Sequence, residues 1–218
     1  VESCTHVEEV LSIDEMVCML TGTQQKRENA LALAAHIKHA IAEKIGKEIR
    51  CSIGIAPNTF LAKVASNMQK PDGCVVIEIS DLPEKLYALK LRDLNGIGRR
   101  MEERLIRNRI TTIPELYSCN RQQLRAAWGS IEGERMYDKL RGVELPLIKH
   151  DRSSLGHSHV LPPELRTRTA ALSVLHRLLQ KACMRLRSYE LHASAISVKV
   201  KFINHPSWVA ESACSPTD

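Results

Sequence analysis

Aromatic residues are scarce: two Trp, four Tyr and two Phe make up 4% of the 218 residues. Any core must therefore be aliphatic, built from Leu, Ile, Val and Ala. Long apolar runs are missing too, and none approaches the roughly 20 residues that a membrane-spanning helix requires. The opening "VESCTHVEEV" lacks the basic-then-apolar layout of a signal peptide. Seven cysteines are spread along the chain with no C-x-x-C, an odd number that argues against a disulfide framework or a zinc site. They read instead as reduced, mostly buried thiols of a cytoplasmic protein. An initiating Met is absent, and "SACSPTD" ends on a helix N-cap signal with no helix after it, so the sequence is expected to be a fragment.

What is present is a globular composition, 44% hydrophobic and 26% charged, with a net charge of +6 and a pI near 9.0. That balance mildly favours a polyanionic partner such as nucleic acid. The first third alternates strand and helix. Residues 9–20 read as a strand or hairpin arm, and Ala30, Leu33, Ala34, Ile37, Ile41 and Ile45 predict a helix from Gln25 to about Ile49. "RCSIGIAPN" predicts a strand, and Asn58 caps a short helix, "TFLAKVASNM", that "QKPDG" terminates. "CVVIEI" is a further strand. No Gly-rich phosphate loop joins these elements, which favours an α+β sheet over a dinucleotide-binding unit.

From Ser80 to about Glu144 the pattern changes to short helices, predicted over 81–89, 99–108, 112–117, 120–128 and 131–141. "GVELPLIKHDRSS", residues 142–154, mixes Gly, Pro and charge without period and reads as a linker. Beyond it come a predicted strand ("SLGHSHVLP"), a long basic helix over about 167–189, a strong strand ("HASAISVKVKFIN") and a probable last strand ("SWVAESAC").

Three stretches carry chemistry. "EVLSIDEMVCML" sets Asp14 and Glu15 in an apolar run, with no basic residue before Lys26. A buried carboxylate needs a counter-charge, a metal or a proton. The acids therefore either protrude at a strand end or hold something cationic, and adjacent acids suit a hard divalent ion such as Mg²⁺. A regular strand would point them to opposite faces, so joint ligation requires the strand to end, twist or bulge there. In "CSIGIAPNTFLAKVASNMQKPDG", Lys63 and Lys70 are seven residues apart, about two helical turns, and are either polyphosphate contacts or solvated surface lysines. In "LRDLNGIGRRMEERL", the glycines of "GIG" between two short helices let backbone approach a phosphate, with Arg99 and Arg100 beside it. The other reading is a glycine turn that merely packs two helices. Residues 90–141 carry twelve Lys and Arg against seven acids, which supports the phosphate reading only weakly. The pairs His157/His159 and His36/His39 read as ordinary surface histidines.

In this order the stretches resemble the Y-family (translesion) DNA polymerases. "VLSIDEM" is similar to that family's S-I-D-E palm motif, "CSIGIAPNTFLAKVASNMQKPDG" to its second palm block, "LNGIGRRMEERL" to its thumb helix-hairpin-helix, and "SSLGHS" to the start of its little-finger domain. The resemblance implies an α+β multidomain fold: a ferredoxin-like partial palm (1–79), a helical thumb with a helix-hairpin-helix (80–146), a linker (147–151) and a partial α/β little finger (152–218). It implies a template-directed DNA polymerase acting in damage bypass by two-metal nucleotidyl transfer. Asp14 and Glu15 would be catalytic metal ligands for two Mg²⁺ ions. Lys70, and more weakly Lys63, would contact the nucleotide triphosphate. Gly96, Ile97, Gly98, Arg99, Arg100, Ser154 and Gly156 would contact DNA. Partners would be primer-template DNA, deoxynucleoside triphosphates and a sliding clamp reached through a region outside these residues.

A third metal carboxylate and the fingers lie upstream of the S-I-D-E strand in that family, so this fragment is expected to be inactive, with its acidic pair empty of metal. Asn95 replaces the usual Pro of P-G-I-G, and Arg109 replaces the usual Gly of L-G-I. The competing readings are a non-catalytic accessory relative and a plain helix-hairpin-helix DNA-binding module.

Overall fold

The computed structural model describes residues 1–146 and 154–217. The chain divides into two compact units, Val1–Leu147 and Ile148–Asp218. The linker expected at 147–151 lies outside the described residues.

The first unit opens with a hairpin, β1 (Glu9–Val10) paired antiparallel with β2 (Met16–Val17). Helix α1 (Arg27–Lys44) follows a 3-10 turn at Gly22–Gln25. It ends five residues before the predicted Ile49, where the Ile45 and Gly46 amides both donate to the Ile41 carbonyl and unwind the last turn. Strands β3 (Ile53–Ile55) and β4 (Cys74–Val76) then pair in parallel, joined by α2 (Thr59–Met68) as one β-α-β unit. The hairpin does not extend this ladder: the described strands form three separate two-stranded pairs rather than one ferredoxin-like sheet.

Gly54 explains how closely α2 lies on β3, because a Cβ there would sit 1.8 Å from the Ala62 carbonyl oxygen. Only a residue without a side chain permits that approach. At the helix start the Asn58 Oδ1 accepts from the Leu61 amide at 2.7 Å, the predicted cap.

The helix predicted over 81–89 is instead two 3-10 turns, Ile79–Asp81 and Glu84–Leu86, because Pro83 between them cannot continue an α-helical ladder. A third 3-10 turn, Leu91–Asp93, leads into α3 (Arg99–Arg107), α4 (Ile113–Ser118), α5 (Arg121–Trp128) and α6 (Glu132–Leu140). The starts of α3, α4 and α5 are set by Gly98, Thr112 and Asn120, of which Thr112 and Asn120 close capping boxes with Glu115 and Gln123. One aliphatic cluster runs continuously from Leu61 and Val64 of α2 through Leu94, Leu105 and Leu116 to Leu140 of α6. All six are at most 1% exposed, so α2 and the helices after residue 80 share a single core.

The second unit holds α7 (Arg168–Ser188), capped by Thr167, and a hairpin of β5 (Ala193–Val200) with β6 (Trp208–Thr217). Residues 154–162 form no strand, contrary to expectation. Backbone of this kind needs a ladder partner, and the only ladder described in the unit is β5–β6. Nor does the chain turn toward a helix at "SACSPT", since those residues complete β6. No helix of the described residues is long and apolar enough to cross a membrane. The cysteines are all free, and six are half-buried rather than buried, with Cys214 exposed.

Candidate functional site

Asp14 and Glu15 occupy the loop of the first hairpin. Register pairs Val10 with Met16, so residues 11–15 leave the ladder altogether. The Leu11 and Ser12 amides donate to the Glu15 carbonyl at 2.9 and 3.2 Å, folding the loop back on itself. The alternation of strand faces is thereby broken where the two acids stand. Asp14 is exposed, and its carboxylate accepts a 2.7 Å hydrogen bond from the Ser12 hydroxyl. Glu15 is half-buried and holds the ammonium of Lys63, which reaches it from the second turn of α2. The cation absent from the local sequence thus comes from 48 residues further on.

The donors fit a divalent ion in kind, being hard carboxylate oxygens on one loop, one already serving a cation. Among the described residues, however, no group of three or more His, Cys, Asp or Glu side chains could hold a metal ion. The chain therefore offers two donors, and the remaining positions would go to water, substrate or groups beyond these residues.

Lys70 does not share a face of α2 with Lys63, because the helix ends at Met68 and Lys70 lies past its cap. It is exposed at the head of the "KPDG" loop. That loop is anchored from α1: Lys38 donates to both the carbonyl and the carboxylate of Asp72, the latter at 2.9 Å. The Lys38 hydrogen bond holds the Asp72 carboxyl below its ordinary value of 3.8. On the other side the Gly73 amide donates to the Ser52 hydroxyl, which in turn donates to the Gln69 carbonyl.

The "NGIGRR" stretch forms a tight turn with Gly96 at φ +91°, a region that favours glycine. Asn95 in place of Pro does not prevent it. Ile97 is 3% exposed and plugs the turn into the core, while Gly96, Gly98, Arg99 and Arg100 all face solvent. Gly98 is the N-cap of α3, so the first amides of that helix point outward with the helix dipole behind them. Arg99 pairs with Glu103 one turn on, at 3.1 Å. The element before the turn is the 3-10 turn Leu91–Asp93 rather than an α-helix. Ser154 and Gly156 are exposed in the second unit, in backbone without regular structure.

Sequence reasoning missed the groups that fix α2. Besides capping the helix, Asn58 donates through Nδ2 to the Lys139 and Val143 carbonyls at 2.9 and 3.0 Å. Glu144, read as linker, accepts from the Thr59 amide and hydroxyl at 2.8 and 3.1 Å. The start of α2 is thus clamped to the end of α6. The one available signal was chemical: a buried amide has donors left over after it caps.

This geometry accompanies clear likenesses to known proteins. The model of the impB/mucB/samB family matches residues 1–67, and that of the family's C-terminal domain matches 152–217. The chain belongs to the impB/mucB/samB family, the Y-family DNA polymerases. It is 34% identical over 201 residues to DNA polymerase IV of Moorella thermoacetica, covering 89% of this chain and 50% of that protein. DNA polymerase IV of Oceanobacillus iheyensis is 30% identical over 196 residues, covering 88% and 46%. The chain thus spans about half the length of the curated relatives it matches. Among solved structures, the Y-family DNA polymerase chimera Dbh-Dpo4(243-245)-Dbh has a TM-score of 0.73 at 25% identity, covering 98% of this chain and 61% of that one. DinB from Sulfolobus solfataricus gives 0.54 at 25% identity, covering 94% and 60%. The mixed α/β fold of this chain is similar to those Y-family domains.

Proposed function

We propose that the chain is part of a template-directed DNA polymerase of the translesion type, comprising a partial palm (1–79), a helical thumb with a helix-hairpin-helix (80–146) and a partial little finger (152–218). The observation that carries the reading is the break of the first hairpin at Asp14–Glu15. It gathers two carboxylates on one loop within the segment that matches the family model. With two carboxylates and no third among the described residues, Asp14 and Glu15 would hold Mg²⁺ only weakly, so that the pair is empty at low ion concentration and fills as the concentration rises. When bound, such ions polarise the attacking and leaving oxygens of nucleotidyl transfer.

The chain's own residues supply position and charge. Lys70 presents a point cation to the triphosphate of an incoming deoxynucleotide, on a loop steadied by Lys38 and Ser52. The turn at Gly96–Gly98 brings α3 amides, together with Arg99 and Arg100, against a duplex phosphate and leaves base sequence unread. Ser154 and Gly156 would add backbone contacts from the second unit.

Two assays on the 218-residue chain test this. It should bind primer-template DNA in fluorescence anisotropy, and Asp14→Ala should leave that binding intact while removing any dependence on divalent ions and nucleotide. Binding with no such dependence in the unaltered chain would favour a plain DNA-binding module instead. With only two carboxylates for the metal, the chain alone should not extend a primer. Measurable extension with Mg²⁺ would refute that expectation.

A further inference from the structure

Lys63 and Lys70 were expected to share the triphosphate, yet they stand in different situations. Lys70 is exposed on its loop, whereas the Lys63 ammonium lies on Glu15. We infer that Lys63 is the resident counter-cation of Glu15, which a divalent ion displaces, rather than a standing phosphate contact. The inference rests on the reading of Asp14–Glu15 as a divalent-ion site.

Both roots of the pair are fixed. The Glu15 backbone is held by the Leu11 and Ser12 amides. Lys63 rises from α2, whose start is clamped by Asn58 and Glu144 and whose body lies hard on Gly54. Only the four-carbon stem of Lys63 remains to move. The two side chains are 29% and 40% exposed, so water and ions reach the pair. A lysine ammonium carries one charge on a flexible stem and gives up a carboxylate readily. A divalent ion carries twice the charge and prefers the same hard oxygen.

The two acids are therefore unequal before any metal arrives. Asp14 has a hydroxyl for a neighbour, and Glu15 has a full positive charge. Lys63 lowers the net charge of the pair from two negative to one, which spares the loop a bare pair of like charges. It also weakens divalent binding, and an arriving ion releases the ammonium. A lysine freed only by metal would reach phosphate only once the metal is in place.

Mn²⁺ binding to the full chain, followed by the EPR signal of free Mn²⁺ at low salt, tests this. Lys63→Met keeps the stem and removes the charge, and should tighten binding by roughly 1.5- to fivefold, the range set by a partly exposed ion pair. Asp14→Asn should abolish binding, and Lys63→Met should have no effect in a Glu15→Gln background. A second measurement needs no substitution: acetylation of Lys63, read by mass spectrometry, should rise when Mg²⁺ is added, while that of Lys70 stays level. If Mn²⁺ binds in an Asp14-dependent way but Lys63→Met leaves the affinity unchanged or weaker, or Mg²⁺ does not raise Lys63 labelling, the counter-cation role is overturned and the metal site stands. If Mn²⁺ binding is absent or ignores Asp14→Asn, the metal site falls and the role falls with it.

Discussion

Asp72 shows how a single side chain sets the loop that carries Lys70. Its carboxyl is held below the ordinary range chiefly by the Lys38 hydrogen bond. A depressed carboxyl contributes stability above its unfolded value and loses it as pH falls through the folded value. The tether should therefore be intact at neutral pH and fail only below about pH 4, near the reference range of Asp. Protection of the Lys70, Asp72 and Gly73 amides, taken relative to their intrinsic exchange rates, should fall in that acid window, and Lys38→Met should lower it already at pH 7. Arg109 makes the opposite point about strain. It stands at φ +61°, in the left-handed region that glycine tolerates best. A non-glycine residue there costs on the order of 1 kcal/mol, so Arg109→Gly should raise the free energy of unfolding of the first unit, read by urea denaturation, by about that amount, less the entropy glycine adds to the unfolded chain.

At the scale of elements, α2 is the beam on which the candidate site hangs. It carries Lys63, leads to Lys70, and contributes Leu61, Val64 and Ala65 to the core. Its start depends on Asn58, which is 3% exposed and makes three hydrogen bonds with two different segments. Loss of an N-cap costs about 1 kcal/mol, and the part-buried Val143 carbonyl left unpaired adds about 1–3 kcal/mol, whereas the Lys139 carbonyl keeps the Gly142 amide. Asn58→Ala should thus destabilise the first unit by about 2–4 kcal/mol in urea unfolding. Asn58→Asp keeps the cap acceptor but turns a charge on the Lys139 and Val143 carbonyls, and should cost at least as much. If Asp proved harmless, the clamp to α6 would carry no weight and the cap alone would matter.

For the whole molecule the question is how +6 of net charge is used. A phosphate-tracking protein loses affinity steeply with salt, by roughly one logarithmic unit of slope per phosphate neutralised. Binding of the chain to duplex DNA should show such a slope, and Arg99→Ala with Arg100→Ala should reduce it by about two while leaving sequence preference untouched. A slope unchanged by both substitutions would place the phosphate contacts elsewhere, the basic α7 being the next place to look.

Local chemistry was legible from the sequence alone. Asn58 as a cap, the four helices from Arg99 to Leu140, the basic helix after Thr167 and the exposed glycines of "GIG" depend on interactions within a few residues. A break at Asp14–Glu15 is required by the sequence only on the condition that both acids serve one ion, because a regular strand points neighbours to opposite faces. What depended on distant partners was not legible. Lys63 reads as either a polyphosphate contact or a solvated surface lysine, because nothing in its neighbourhood reveals Glu15, 48 residues earlier in the chain. Residues 142–144 read as linker because their partners, Asn58 and Thr59, lie far upstream. The strand expected at 154–162 failed for the same reason: a strand exists only where another chain segment supplies its hydrogen bonds. Sequence determined the elements that hydrogen-bond to themselves, and tertiary structure decided which charges and backbone groups found partners across the fold.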